Sequence, residues 1–345
     1  MDAIERIPGP TAAGYVVVHF GIVPGKSGFD QQLAQLESLR NASEGERQQG
    51  LQKALGNRNN FLVAKAADLA RELNLTQLTD ALREAFDRFF ENPEKTDPQC
   101  WAKNALSRAL AAFEYQDAET FLRGMHHIQL EPVWGGRSDT GGTLRSTCAL
   151  ALVACTSVPE AELLAHLVDL FADQDKAVRA EVARALEQVG SPSAGLLLRL
   201  RAKLGADEPE VLGSCYAGVL GIEGVSAIPW IGRFLASADD RAAEAALAIS
   251  STHSPQAVKV LRQAISTADD PWFRSVLLSA IALTRQDSAV EFLLDLVKSE
   301  SLDAERAIEA IVRSRPGEET MKRLKTLAGQ NPRLARALAA LKTSC

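Results

Sequence analysis

The stretch Tyr15–Ser27, YVVVHFGIVPGKS, holds residue types that could bind a phosphate if their spacing were right. A P-loop needs a glycine, four further residues and then Gly-Lys-Ser or Gly-Lys-Thr, because successive backbone N–H groups must surround the phosphate. Gly25, Lys26 and Ser27 fit, but the first glycine should stand where the chain has Phe20. No further strand pattern follows, and no strand-borne carboxylate is available for magnesium. We therefore expect no nucleotide site.

The histidines and cysteines do not form a catalytic or metal-binding pattern. Adjacent histidines on a helix point about 100° apart, so His126 and His127 are not a chelating i, i+4 pair. No nucleophile elbow of the type Gly-x-Ser-x-Gly occurs, and no two cysteines form a C-x-x-C pair. The sequence predicts a protein without catalytic residues, metal or cofactor, with reduced thiols in a cytoplasmic setting. The cysteines are Cys100, Cys148, Cys155, Cys215 and Cys345.

A glycine-rich interruption, LEPVWGGRSDTGGTLR, spans Leu130 to Arg145. It contains Trp134, Arg137 and Asp139, and tryptophan and arginine are common anchors of protein interfaces. Loops on a rigid scaffold often carry binding residues. The alternative is that Trp134 covers a core between helix pairs while the glycines permit the turn. Both interpretations stay open at this point.

The elements around this segment have helical periodicity. In SVPEAELLAHLVDLFAD, Leu163, Leu167 and Phe171 recur on one face of an amphipathic helix. After the turn DQD, the segment KAVRAEVARALEQVG repeats the pattern with Val178 and Leu186. These two segments predict a helical hairpin.

The hairpin recurs along the chain. Asp139 precedes Leu144-Arg145 as Asp173 precedes Val178-Arg179, and the two aspartates are 34 residues apart. Self-similarity at this period is typical of a repeat array. Helix starts are marked by a capping residue before proline, since proline lacks a donor that has no partner at that position. The five pairs are Asp97-Pro98, Ser191-Pro192, Ser254-Pro255, Asp270-Pro271 and Asn331-Pro332.

The pattern Asp-x5-Val/Leu-Arg, followed by a small residue and a leucine, resembles HEAT-like repeats, including the short repeats of bilin-lyase-type HEAT-like proteins. DQDKAVRAEVARALEQVG is the best match, and the resemblance is clearest over residues 139–315. It implies an all-α fold, an armadillo-like α-α superhelix over residues 29–345. Residues 1–28 are rich in glycine and proline and lack a helical period, so we expect a flexible leader there. The resemblance also implies a non-catalytic protein-interaction scaffold whose second helices line a concave surface.

The candidate partner-binding residues are those of the glycine-rich segment together with arginines that recur on the second helices. The alternative role of these arginines is to bond the turn aspartates and carbonyls within the repeats. The whole set is Trp134, Arg137, Asp139, Arg145, Arg179, Arg274 and Arg306.

Two other functions stay open. HEAT-like DNA glycosylases are similar in fold, and a basic C-terminal end together with Trp230 and Trp272 would suit nucleic acid. A net charge of −6 argues against that partner. A bilin lyase is the other alternative. Enzymes similar to deoxyhypusine hydroxylase bind iron through His-Glu dipeptides, and none occurs in this sequence. No apolar run approaches the roughly 18 residues of a membrane span, so no membrane partner is expected.

Overall fold

The computed structural model describes residues 28–342. Over this range the chain is predominantly helical, with a single two-stranded sheet, so the prediction of an all-α fold is confirmed. The expected leader falls outside the described residues except for Gly28, which begins the first helix. The loop motif ending at Ser27 also lies outside them, as do His19 and Cys345.

The first half of the described chain contains eight helices and the hairpin. The helices are α1 (Gly28–Ser38), α2 (Glu44–Leu55), α3 (Asn60–Glu72), α4 (Thr79–Arg88), α5 (Pro93–Thr96), α6 (Trp101–Ala112), α7 (Ala118–Met125) and α8 (Gly142–Val153). Between α7 and α8 lie the strands β1 (Leu130–Val133) and β2 (Gly136–Asp139).

The second half is helical throughout, with short 3-10 segments at Gly224–Ala227 and Gly232–Ser237. Its helices are α9 (Glu160–Leu170), α10 (Lys176–Val189), α11 (Pro192–Leu204), α12 (Pro209–Glu223), α13 (Ile228–Ile231), α14 (Asp240–Ser250), α15 (Pro255–Thr267), α16 (Pro271–Leu283), α17 (Asp287–Lys298), α18 (Ala304–Arg313), α19 (Glu318–Ala328) and α20 (Pro332–Lys342).

The helices pack in two rows. In the first row α3, α6, α8 and then every even-numbered helix to α20 contact one another in that order. In the second row α13, α15, α17 and α19 contact one another, and α7, α9 and α11 each pack against the even-numbered helix that follows. One hydrophobic core runs between the rows from Leu36 to Leu338.

Helix α10 illustrates why these segments are helical. Asp175 caps its N-terminus by accepting a hydrogen bond from the Ala177 N–H, and Gly190 ends it with a φ of 70°. Val178 and Leu186 are fully buried on its inner face, as their spacing predicts. Local capping and a 3.6-residue apolar period therefore specify the same segment.

Four of the five capping residues before proline act as predicted. Ser191, Ser254 and Asp270 each accept a hydrogen bond from the backbone N–H three residues later. Asn331 accepts from the Arg333 N–H at 2.8 Å. Asp97 is different, because its carboxylate caps α6 beyond the intervening 3-10 turn.

Replacement of Asp270 by alanine should lower the free energy of unfolding by about 1 kcal/mol, because the Phe273 N–H loses its acceptor at 2.7 Å. Urea denaturation measures the change. Asp287→Ala is the matched control, since Asp287 lies in the first turn of α17, whose N-cap forms no side-chain hydrogen bond. An equal loss in both variants would show that charge at the helix start, not the cap, is responsible.

One described segment, Pro209–Ser237, is long and apolar enough to cross a membrane by length and composition. It is not a continuous α-helix, since Gly224 has a φ of 65° and 3-10 turns flank α13. More than half of its most apolar window is buried inside the protein. Packing against neighbouring helices accounts for its hydropathy.

Candidate functional site

The glycine-rich segment folds into a hairpin, which sequence reasoning treated as a loop. Strands β1 and β2 pair antiparallel, with Leu130 opposite Asp139 and Val133 opposite Gly136. The two-residue turn consists of Trp134 and Gly135, and Gly135 has a φ of 90°. A left-handed φ at the second turn position is typical of a type II turn and favours glycine. Gly135 therefore fixes the shape of the turn that holds Trp134.

Trp134 is the most exposed large apolar side chain of the described chain, at 103% relative exposure. The alternative expectation, that Trp134 covers a core between helix pairs, is therefore wrong. Ile128, Leu130 and Val133 are also exposed. A fully exposed tryptophan is typical of an interaction site.

The base of the hairpin is held by Asp139. Its Oδ1 accepts hydrogen bonds from the backbone N–H groups of Gln129 (3.0 Å) and Gly141 (2.9 Å), and its Oδ2 accepts from Arg145 Nη1 (2.6 Å). Burial alone would raise the pKa of Asp139, but these hydrogen bonds outweigh it and hold the pKa below its usual value. The carboxylate therefore stays charged and closes the hairpin at its open end.

Arg145 connects the hairpin to the next helix pair. Its side chain is almost completely buried, and it donates to Asp139, to the His127 carbonyl (3.0 Å) and, through Nε, to Asp173 Oδ2 (2.7 Å). Asp173 stands in the turn before α10. One guanidinium thus bonds both the strand end and the neighbouring turn. These contacts match the structural role that the sequence left open for this arginine.

Glu131 fastens the middle of β1 to the turn before α6 and to two residues that flank the hairpin. Its Oε1 accepts from the Gln99 N–H (2.6 Å), from Gln129 Nε2 (2.6 Å) and from Thr140 Oγ1 (3.0 Å). Burial would raise its pKa, but the three donors lower it below the ordinary glutamate value. Glu131 is therefore a charged anchor.

Beneath the hairpin lies a fully buried ion pair. Lys103 Nζ donates to Asp97 Oδ2 at 2.9 Å and to the Phe89 carbonyl at 3.2 Å. Asp97 Oδ1 also accepts from the Ala102 N–H, and the Asp97 carbonyl accepts from Gln129 Nε2. Neither charged side chain is exposed to solvent. A paired buried charge is tolerated only when further hydrogen bonds satisfy it, as they do at this pair.

Cys100 lies in this cluster but is not an activated nucleophile. Its thiol is fully buried and donates to Gln129 Oε1 at 3.2 Å. Burial raises the pKa of Cys100 to about 11, so the thiol is protonated at neutral pH. The positive φ values of Gln99 and Cys100 place the backbone so that Gln99 can reach Glu131. Strain at this turn serves the attachment of the hairpin.

The histidines near the site have structural contacts. His127 Nε2 lies 3.0 Å from Gln129 Oε1, and its ring packs edge-on against Phe90. Burial lowers the pKa of His127, so it is neutral at pH 7. His126 ends α7 and contacts the ring of His166. Within residues 28–342 no group of three or more His, Cys, Asp or Glu side chains could hold a metal ion.

The side chain of Arg137 is partly exposed and also holds the hairpin in place. Its Nη2 donates to Glu94 Oε1 at 2.7 Å and to the Leu130 carbonyl, and the side chain is about half exposed. Arg137 therefore ties β2 to α5 and still presents one edge of its guanidinium to solvent.

The remaining candidate arginines lie away from the hairpin. Arg179 donates to Asp207 (Nη2–Oδ1, 2.7 Å) and to two carbonyls of the turn before its own helix. Arg274 bonds Asp303 and two carbonyls at the end of α15, those of Ile265 and Ala268, and Arg306 also donates to Asp303 (3.1 Å). Arg179 is buried. Arg179 and Arg274 therefore link consecutive turns of the first helix row, whereas Arg306 bonds only the turn before its own helix.

The structure thus brings together four of the seven candidate residues and separates three. Trp134, Arg137, Asp139 and Arg145 belong to the hairpin and its base. Sequence reasoning missed the residues that support the hairpin from below, and only the Asp97-Pro98 capping pair pointed towards them. Those residues are Asp97, Lys103, Gln129 and Glu131. The sequence matches no protein-family model, and no curated protein matches it.

Proposed function

We propose that this chain is a non-catalytic, cytoplasmic protein-interaction scaffold that binds its partner through the β1–β2 hairpin. The observation that carries the proposal is the complete exposure of Trp134 at the end of an anchored hairpin. An exposed tryptophan has a large apolar surface and few rotatable bonds, so its burial by a partner yields much binding energy at a small entropic cost.

We also propose that the helices form a HEAT-like α-solenoid. Arg145 and Arg179 each bond the aspartate 28 residues further along, and Arg274 bonds Asp303 29 residues along. The ordered contacts of the even-numbered helices support the same interpretation. In a solenoid each unit contacts only its neighbours, so an inserted hairpin can project without disturbing the stack.

The hairpin supports a binding function because its attachments restrict its motion. Arg137, Glu131 and Asp139 fix β2, β1 and the open end respectively. A rigid presentation lowers the entropy lost on association. We therefore place the partner contact on the hairpin, and the buried Arg145 supports it from beneath.

Trp134→Ser should weaken partner binding by about thirtyfold, because truncation of a hot-spot side chain costs about 2 kcal/mol of binding free energy. The melting temperature should not change. The partner is first identified with a photocrosslinking amino acid at position 134, in the presence of nuclease. Its affinity for the wild type and for the Trp134→Ser variant is then measured by calorimetry. Trp272→Ser is the matched control, since Trp272 is an exposed tryptophan on α16.

A crosslinked protein whose affinity is equal for wild type and Trp134→Ser would contradict the proposal. If position 134 crosslinks only to nucleic acid, and only when nuclease is absent, the partner of the hairpin is a nucleic acid and not a protein. Loss of affinity in Trp272→Ser as well would show that the effect is not specific to the hairpin.

A further inference from the structure

Helix α11 presents three leucines to solvent. Leu196, Leu200 and Leu204 have relative exposures of 67%, 56% and 67%. They stand at i, i+4 and i+8, so they form one ridge about 12 Å long on the outer face of the helix. Isolated exposed leucines are ordinary, but an aligned row is not explained by the packing of this chain.

Helix α11 and the later segments α13 and α15 carry cations and no acidic residue, whereas α10 and α12, which also contact α11, contain glutamates. The sequences of α11, α13 with the following 3-10 segment, and α15 contain no aspartate or glutamate. Among the described residues, their exposed cations without an ion pair are Lys203, Arg233, Lys259 and Arg262. In a chain with a net charge of −6, this is an unusual concentration of uncompensated positive charge.

Two of these cations belong with the ridge: Lys203 lies on α11 itself, and Arg233 follows three residues after Trp230, whose ring contacts α11. Arg199 of α11 lies over the ring of Trp230 in α13, 4.3 Å from its centroid, and α13 contacts α15. On the other flank Arg201 lies over Phe171 at the end of α9, whose exposed charges at Glu162 and Asp169 are acidic. The ridge therefore has a cationic flank and an acidic flank.

We propose that α11 is a docking site for an acidic amphipathic helix of a partner protein. The apolar face of that helix packs on Leu196, Leu200 and Leu204, and its carboxylates face Lys203 and Arg233. A helix fits because its side chains recur with the same 3.6-residue period as the ridge. A lipid surface fits less well, because the apolar ridge is only three leucines long and one of its flanks is acidic. This surface is separate from the hairpin.

The test uses the full chain and two fluorescein-labelled designed peptides of about 20 residues, long enough for a helix. Both have leucine at the first and fourth positions of each heptad. One has glutamate at the flanking positions and the other lysine. Fluorescence anisotropy should show binding of the glutamate peptide and not of the lysine peptide. Vesicles of phosphatidylserine and phosphatidylcholine are tested in parallel by sedimentation.

The double replacement Leu196→Gln and Leu200→Gln should weaken binding of the glutamate peptide by about tenfold or more. Lys203→Glu with Arg233→Glu should weaken it as well, and should allow the lysine peptide to bind. Leu302→Gln is the control for an exposed leucine elsewhere, and Trp134→Ser is the control for the hairpin. Neither control should change the affinity, and circular dichroism checks that each variant is folded.

Absence of binding to the glutamate peptide overturns the proposal. So does binding that survives the two leucine replacements, or equal affinity for both peptides. Sedimentation with anionic vesicles that depends on the same leucines, without peptide binding, would assign the surface to a membrane instead. The ridge and the hairpin share no residue, so a negative result in this assay does not bear on the hairpin.

Discussion

Replacement of Lys103 by methionine should lower the free energy of unfolding by about 3–5 kcal/mol, because it leaves the buried Asp97 carboxylate without its counter-ion. Asp97 keeps as donors the N–H groups of Ala102 and residue 103 and the side-chain amide of Asn60, none of which carries a charge. The same carboxylate caps α6, and its backbone carbonyl holds Gln129 beneath the hairpin. The measurement is urea denaturation followed by circular dichroism.

Lys176→Met is the matched control for this variant. Lys176 forms an ion pair of similar length with Glu210 (2.8 Å), but both side chains are exposed. Exposed pairs are screened by solvent, so the control should change stability little. Asp97→Asn should lower the free energy of unfolding less in the Lys103→Met variant than in the wild type, because the two charges are coupled. An equal decrease in the free energy of unfolding in Lys103→Met and Lys176→Met would show that burial of the ion pair does not cause the effect.

Asp207→Asn should be the other large effect, with a loss of about 3 kcal/mol at pH 7. Asp207 is almost fully buried and accepts from both Arg179 and Arg201. Burial alone would raise its pKa, but these hydrogen bonds outweigh it and hold the pKa well below the usual range. The variant removes the carboxylate charge and leaves both guanidinium groups without their shared partner.

The stability lost in Asp207→Asn should become smaller at acidic pH. The pKa of Asp207 is lower in the folded state, so its stabilisation is complete above the unfolded-state pKa of about 3.9. It decreases as pH falls below that value towards the folded-state pKa. The difference between wild type and Asp207→Asn should therefore be constant from neutral pH to about pH 5 and shrink in more acidic buffer. A constant difference down to pH 3, or the same behaviour in the exposed Asp295→Asn control, would contradict this account.

The helical fold could be predicted because its signals are local. In α10 the cap Asp175, the buried Val178 and Leu186 and the terminal Gly190 all lie within one segment. Periodicity and capping therefore place the helix without knowledge of its neighbours. The same holds at Ser191, Ser254 and Asp270, where the predicted caps are observed.

The hairpin and its support could not be predicted because their contacts join distant residues. Glu131 reaches Gln99 and Arg137 reaches Glu94, each across more than 30 residues. The strands are only four residues long, and Pro132 interrupts the expected strand composition. Composition also assigns a lysine such as Lys103 to the surface, whereas tertiary hydrogen bonds hold it in the interior.

The exposed leucine ridge is a feature that the sequence could not disclose. LLLRL in α11 has the composition of a buried helix, and Leu198 is fully buried in the core. Leu196 and Leu200 belong to a different face, and a helix that is apolar on two faces does not disclose which of them has a partner within the chain. Only the packed structure separates them.

The attachment of the hairpin also limits how it can be engineered. An isolated two-stranded hairpin is marginally stable in water, and the strands here are short. Their geometry depends on Glu94, Gln99, Arg145 and Asp173, which come from four separate places in the chain. Residues 130–139 are thus not a transplantable loop. A graft onto another scaffold would need an acceptor with an equivalent buried arginine and a matching acidic turn.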